Sequence, residues 1–123
     1  MPTSNPDTWT APQWHSDWGN AETEMERLRA FAKTLLVKCP EVTVSLEEPE
    51  EGYLYVDVAQ QSKTIAEVYC VTDCENPRSW GYGVFTFKGD EEEENYCSTE
   101  KEAVALVEPL LMEKIPKRTN THE

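Results

Sequence analysis

Between Asn20 and Cys39 the apolar side chains Met25, Leu28, Ala32, Leu35, Leu36 and Cys39 recur at the spacing that gathers them on one face of an α-helix. Asn20 offers a capping side chain. Glu22, Glu24 and Glu26 lie where the helix dipole favours anions, and Lys33 and Lys38 where it favours cations. Pro40 then stops the helix, because it pushes the preceding residue towards extended conformations.

After Glu41 the period falls to two. Val42, Val44 and Leu46 share one face of EVTVSLEE, and Leu54, Val56 and Val58 share one face of YLYVDV. The intervening EPEEG carries Pro49 and Gly52, so the pair reads as a β-hairpin with a loop of about four or five residues. QQSK is a second turn, TIAEVYCVT a third strand with Ala66, Val68 and Cys70 alternating, DCENPRS a loop and WGYGVFTF a fourth strand. Thr99 followed by Glu102 is a capping-box signature, and Ala103, Val104, Val107, Leu110, Leu111 and Ile115 form the apolar stripe of a final helix. Pro109 lacks the backbone donor the helix needs there, which predicts a kink or a division into two short helices.

The order predicts an α+β fold: a four-stranded antiparallel meander with an N-terminal and a C-terminal helix packed on one face. Residues 20–115 make the domain, residues 1–19 a tryptophan-rich leader and residues 116–123 a polar tail. At 123 residues the chain supports one hydrophobic core without disulfides or metals.

Alternation assigns Thr43, Ser45, Tyr53, Tyr55, Asp57, Ile65, Glu67, Tyr69 and Val71 to the sheet face that the helices leave open, with Tyr82 or Phe85 added according to the register of the fourth strand. Tyrosines among polar side chains suit a binding surface, being apolar in body and hydrogen-bonding at the tip. They are also ordinary strand residues that stabilise one another across an exposed sheet.

In the leader, WTAPQWHSDW holds Trp9, Trp14 and Trp18. Thr10 and Gln13 form a second capping box with Pro12 in the first turn, so the pattern admits a short helix over 11–18 that places Trp14 and Trp18 on one side. Docking of these rings on the domain itself is the favoured expectation, with the tyrosine face as a candidate surface. The alternative is a segment kept for a partner.

Charge narrows the function. With 24 acidic and 11 basic side chains the net charge is −13, a field that repels nucleic-acid phosphates and anionic membranes and attracts basic proteins. Much of the acidity sits in two runs, LEEPEEG and GDEEEENYC, each readable as a solvated loop; the second supplies Asp90, Glu91, Glu92, Glu93 and Glu94. No apolar stretch is long enough to span a bilayer and Met1 is followed by polar residues and prolines, which predicts a cytoplasmic protein whose four cysteines are free thiols.

The catalytic inventory is thin. His15 and His122 both lie outside the regular framework, and no nucleophile elbow, phosphate loop or nucleotide fingerprint is present. Cys70 and Cys74 have a spacing used for zinc, which Cys39 and Cys97 would complete. Cys39 and Cys70, however, fall on core faces, where thiols are inert. No catalytic residue, metal or cofactor is expected.

The succession of helix, VSLEEP, YLYVDV, IAEVY, GYG and EAVALV, over about residues 25–112, resembles small bacterial α+β proteins of unassigned function and is similar in style to immunity and antitoxin proteins encoded beside toxins or regulators. The likeness lies in framework residues and turns and carries no site residue. It implies a non-enzymatic binder. The expectation is therefore an acidic inhibitor or immunity-type protein that blocks a basic macromolecular target, presenting carboxylates where a basic groove meets phosphates. Tyr53, Tyr55, Tyr69, Trp14 and Trp18 are its candidate aromatic contacts, and Asp90, Glu91, Glu92, Glu93 and Glu94 its steering charges. The competing expectations are an accessory domain whose acidity serves solubility, and a small-ligand binder or enzyme that uses the open sheet face.

Overall fold

The switch from helical to strand periodicity and back is realised in a computed structural model that describes residues 5–10, 15–16, 19–50, 53–73 and 76–114. Helix α1 spans Ala21–Lys38, beginning directly after Asn20. Strands β1 (Thr43–Glu50), β2 (Tyr53–Gln60), β3 (Lys63–Asp73), β4 (Asn76–Lys88) and β5 (Glu91–Cys97) follow, and helix α2 spans Glu100–Lys114. The strands pair antiparallel in sequence order, so the sheet is a meander.

The α+β class and the flanking helices are as the pattern predicts, but the sheet has five strands instead of four. The additional one is the acidic run, expected as a loop. Gly89, at a φ of 64°, supplies the left-handed turn residue that reverses the chain, and Lys88 then pairs with Glu91 and Phe85 with Glu94. Pairing with β4, rather than any strand preference of glutamate, defines this element. Its charges also discourage another chain from adding to the open edge.

The core lies between the helices and one face of the sheet. Leu28, Phe31, Ala32 and Leu35 of α1, Ala103, Val104, Val107 and Leu111 of α2, and Val44, Leu54, Val56, Val58, Ala66, Val68 and Val84 of the strands are buried there. Leu46 and Cys70 are partly buried against it. Two assignments to the open face are corrected. Ile65 is buried, because the register shifts between Val58 and Ala59 and a bulge turns two consecutive residues of β3 inward. Tyr82 is 1% exposed and donates its hydroxyl to the Arg27 carbonyl of α1 at 2.6 Å, so Phe85 is the β4 ring on the open face.

At the start of α2, the Thr99 hydroxyl accepts from the Glu102 amide at 3.2 Å while the Glu102 carboxylate accepts from the Ser98 and Thr99 amides, the reciprocal bonds of the capping box. The helix runs continuously through Pro109 instead of dividing into two. Ile115 lies outside the described residues.

The leader differs from its expectation. His15 and Ser16, within the helix expected over 11–18, instead pair antiparallel as strand backbone with Gly19–Asn20. Pro6–Thr8 forms a short 3-10 turn capped by Asn5, and Trp9, only 7% exposed, enters the core. Arg29 of α1 donates to the Pro6 carbonyl at 2.8 Å and to the Trp9 carbonyl at 3.1 Å, and Lys33 pairs with Asp7 at 3.1 Å. Trp9 therefore docks on its own domain, on the helix side of the sheet. Trp14 and Trp18 fall outside the described residues. No described helix is long and apolar enough to cross a membrane.

Candidate functional site

Alternation along β1 to β5 sends every second side chain to the face opposite the helices, and register aligns them into rows. One row reads Glu47, Tyr55, Tyr69, Gly83 and Tyr96 from β1 to β5, and its neighbour reads Ser45, Asp57, Glu67, Phe85 and Glu94. An aromatic row and a carboxylate row thus lie side by side. Residues 5–10, tied to α1, leave this face uncovered.

The predicted Tyr53, Tyr55 and Tyr69 come together here. Ring centroids are 5.6 Å apart for Tyr53 and Tyr55, 6.3 Å for Tyr53 and Tyr69, and 5.7 Å for Tyr69 and Phe85, a continuous band across β2, β3 and β4. Gly83 makes room for it. A Cβ at that position would sit 2.6 Å from Cε1 of Tyr69, so the glycine lets the Tyr69 ring lie across β4. The Tyr69 hydroxyl thereby reaches the Glu94 carboxylate, which also accepts from the Tyr96 hydroxyl at 3.0 Å. Burial and the bond to Glu94 raise the Tyr69 phenol well above its ordinary value. Burial and the charge of Glu67, in that order, also raise Tyr53 and Tyr55. These phenols are neutral hydrogen-bond donors at physiological pH.

The acidic run divides between the faces. Glu94 and Glu92, the latter opposite Phe87, have the parity of the tyrosine face, and the charge of Glu92 acts on Glu67 there. Glu91 and Glu93 have the opposite parity and, with the edge residue Glu92, line a groove of about 610 Å³ between α2 and the sheet edge, beside Leu106 and Leu110. Asp90 sits in the turn before β5. Of the five predicted steering charges, two therefore join the tyrosines.

Two carboxylates that the motif reading did not single out complete the face. Asp57 and Glu67 are directly paired across β2 and β3. Asp57 accepts from the Thr64 hydroxyl at 2.9 Å. Glu67 receives no described hydrogen bond and is neutralised by no described ion pair; burial, then the charges of Asp57 and Glu92, hold its carboxyl above the ordinary 4.5. Like charges opposed across strands destabilise a sheet. Tyr96, 65% exposed, is the other addition. Asp57 and Glu67 are already on the open face by alternation, whereas Tyr96 becomes visible in the sequence only once the fifth strand is recognised, since Glu92, Glu94 and Tyr96 have the same parity.

The carboxylates are spread along the sheet. Among the described residues no group of three or more His, Cys, Asp or Glu side chains is placed to hold a metal ion. Of the cysteines considered for zinc, Cys39 is buried at the end of α1, Cys70 and Cys97 lie on β3 and β5 with β4 between them, and Cys74 is outside the described residues. Burial, aided by Glu24, pushes the Cys70 thiol up to about 12, and its Sγ lies 3.7 Å from the Glu24 carbonyl oxygen. That is a protonated, unreactive thiol at neutral pH.

The face can therefore stack on flat or cationic groups, donate hydrogen bonds from phenols and attract positive charge. The chain matches no known family model, no curated protein and no solved structure.

Proposed function

We propose that the protein is a non-enzymatic acidic binder whose open sheet face docks on a basic macromolecular partner and blocks it, as an inhibitor or immunity-type protein does. The observation that carries this reading is the direct opposition of Asp57 and Glu67 beside a half-buried band of tyrosines that no described helix covers, with no described cation to neutralise either acid. In the isolated sheet this arrangement costs stability, and a basic surface laid across it turns the cost into attraction. The aromatic bodies supply apolar area to bury, and the carboxylates on β2, β3 and β5 meet the positive groups that a nucleic-acid-binding groove keeps for phosphates. The net charge of −13 speeds encounter with such a partner and disfavours self-association.

The test is affinity capture from source cells with two baits, the wild-type chain and a face variant carrying Tyr55→Ser, Glu67→Gln and Glu94→Gln. The expected result is a stoichiometric basic protein retained by the first bait, released as salt is raised and missing from the second. Equal retention on both baits, or retention indifferent to salt, refutes the proposal.

A further inference from the structure

The tyrosine face also indicates which cation it takes. Its carboxylates are unequally occupied. Glu94 accepts from two phenols and Asp57 from Thr64, whereas Glu67 accepts nothing among the described residues. Glu67 pairs with Asp57 on one side and Phe85 on the other, two residues along β3 from Tyr69 on the same face, and its charge acts on both Tyr53 and Tyr55. The free acceptor is therefore set among ring faces. Tyr53 and Tyr55 are inclined at 34° to one another, and Tyr69 meets Tyr53 edge-on at 65°, so the band offers faces in more than one direction.

We propose that Tyr53, Tyr55, Tyr69 and Glu67 form a receptor for an arginine side chain on an exposed basic segment of the partner, an inference that rests on the binding function proposed above. A guanidinium is flat and weakly hydrated. It stacks on a tyrosine ring while its in-plane N–H groups point sideways into a carboxylate, which lets one side chain use the rings and Glu67 together. Lysine brings a compact, strongly hydrated charge that cannot lie flat on a ring and meet the carboxylate edge-on at the same time, so the preference for arginine needs the rings and Glu67 together. A second copy of the chain is a poor occupant, because each copy carries a charge of −13. A metal ion needs convergent ligands, and the described acids do not converge.

The experiment is calorimetric titration of the full chain with hexa-arginine and with hexa-lysine peptides of equal charge at one ionic strength. Hexa-arginine should bind at least about fivefold tighter, the size of a partly exposed cation–π contact. Tyr55→Leu, which keeps apolar bulk without an aromatic face, and Glu67→Gln should each abolish the preference. Glu93→Gln, on the opposite face, should leave it intact. Glu67→Gln relieves a like-charge contact, so it tests the receptor even if the tyrosine variant folds poorly. Equal binding of both peptides, or a preference that survives Glu67→Gln, overturns the arginine receptor while leaving the general binding function standing. Binding of neither peptide overturns both.

Discussion

Replacing Trp9 by alanine tests whether the leader is part of the fold. The indole is 7% exposed and belongs to the same cluster as Met25, Leu28 and Ala32 of α1. A tryptophan buries about 200 Å² of surface, which at about 25 cal/mol per Å² sets an upper figure near 5 kcal/mol. Aromatic truncations in cores cost about 3–5 kcal/mol. The loss has a ceiling, however: besides the buried indole and Pro6, residues 6–9 are held by Arg29 and Lys33, and once the segment detaches no further stability is lost with it. A loss of about 3–5 kcal/mol is expected. At about 2.1 cal/mol/K of unfolding entropy per residue, this lowers the Tm by about 12–19 °C for a chain of this length. Urea denaturation followed by far-UV circular dichroism measures it independently of the remaining tryptophans. Trp9→Phe should recover more than half of the deficit, since it restores most of the apolar area. A loss below about 1 kcal/mol for Trp9→Ala would show that the leader contributes little to the core and refute the reasoning.

The open face and the helix layer give further expectations. Glu67 has its carboxyl raised above the ordinary 4.5, so its ionisation is easier in the unfolded chain; stability falls as pH rises from that value through the folded one. Glu67→Gln should therefore stabilise the protein by about 0.2–1 kcal/mol at neutral pH and by little below about pH 4, and a loss of stability at pH 7 would contradict this. Gly83→Ala forces Tyr69 off β4 and away from Glu94; ultraviolet titration of the tyrosines should show one phenol returning towards its ordinary range, and an unchanged titration would show that Tyr69 does not need the space. Tyr82→Phe removes the hydroxyl that donates to Arg27 and should cost about 0.5–1.5 kcal/mol in chemical denaturation, whereas a neutral result would deny that bond a role in holding α1 on the sheet.

Where the chain repeats a physical period without interruption, its elements can be read directly. The face of α1, the pairing of Val44 and Leu46 with Val58 and Val56, and the capping box at Thr99 all follow from side chains separated by a few residues. β5 was illegible for the opposite reason. Four successive glutamates hide the alternation, and only the turn at Gly89 and the backbone bonds to β4 sort Glu92 and Glu94 from Glu91 and Glu93. Alternation alone puts Ile65 on the wrong face, because a bulge breaks the parity that places every other residue of β3. Composition and alternation point to Tyr53, Tyr55 and Tyr69 as contacts, whereas the role of Glu67 depends on the cross-strand register that sets it against Asp57.

Periodicity along the chain settles the α+β class, the two flanking helices and four of the five strands, and the summed charge settles the sign of the electrostatic field, because each depends on local spacing or on a total. Tertiary pairing sets the rest: that a fifth strand joins the sheet, that Trp9 packs beside α1 instead of over the tyrosines, that Tyr82 turns inward and Phe85 outward, and that two of the five acids over 90–94 join an aromatic band. These outcomes depend on strand register, where a shift of one residue sends every side chain to the other face, and register is fixed by pairing between distant segments rather than by any one of them.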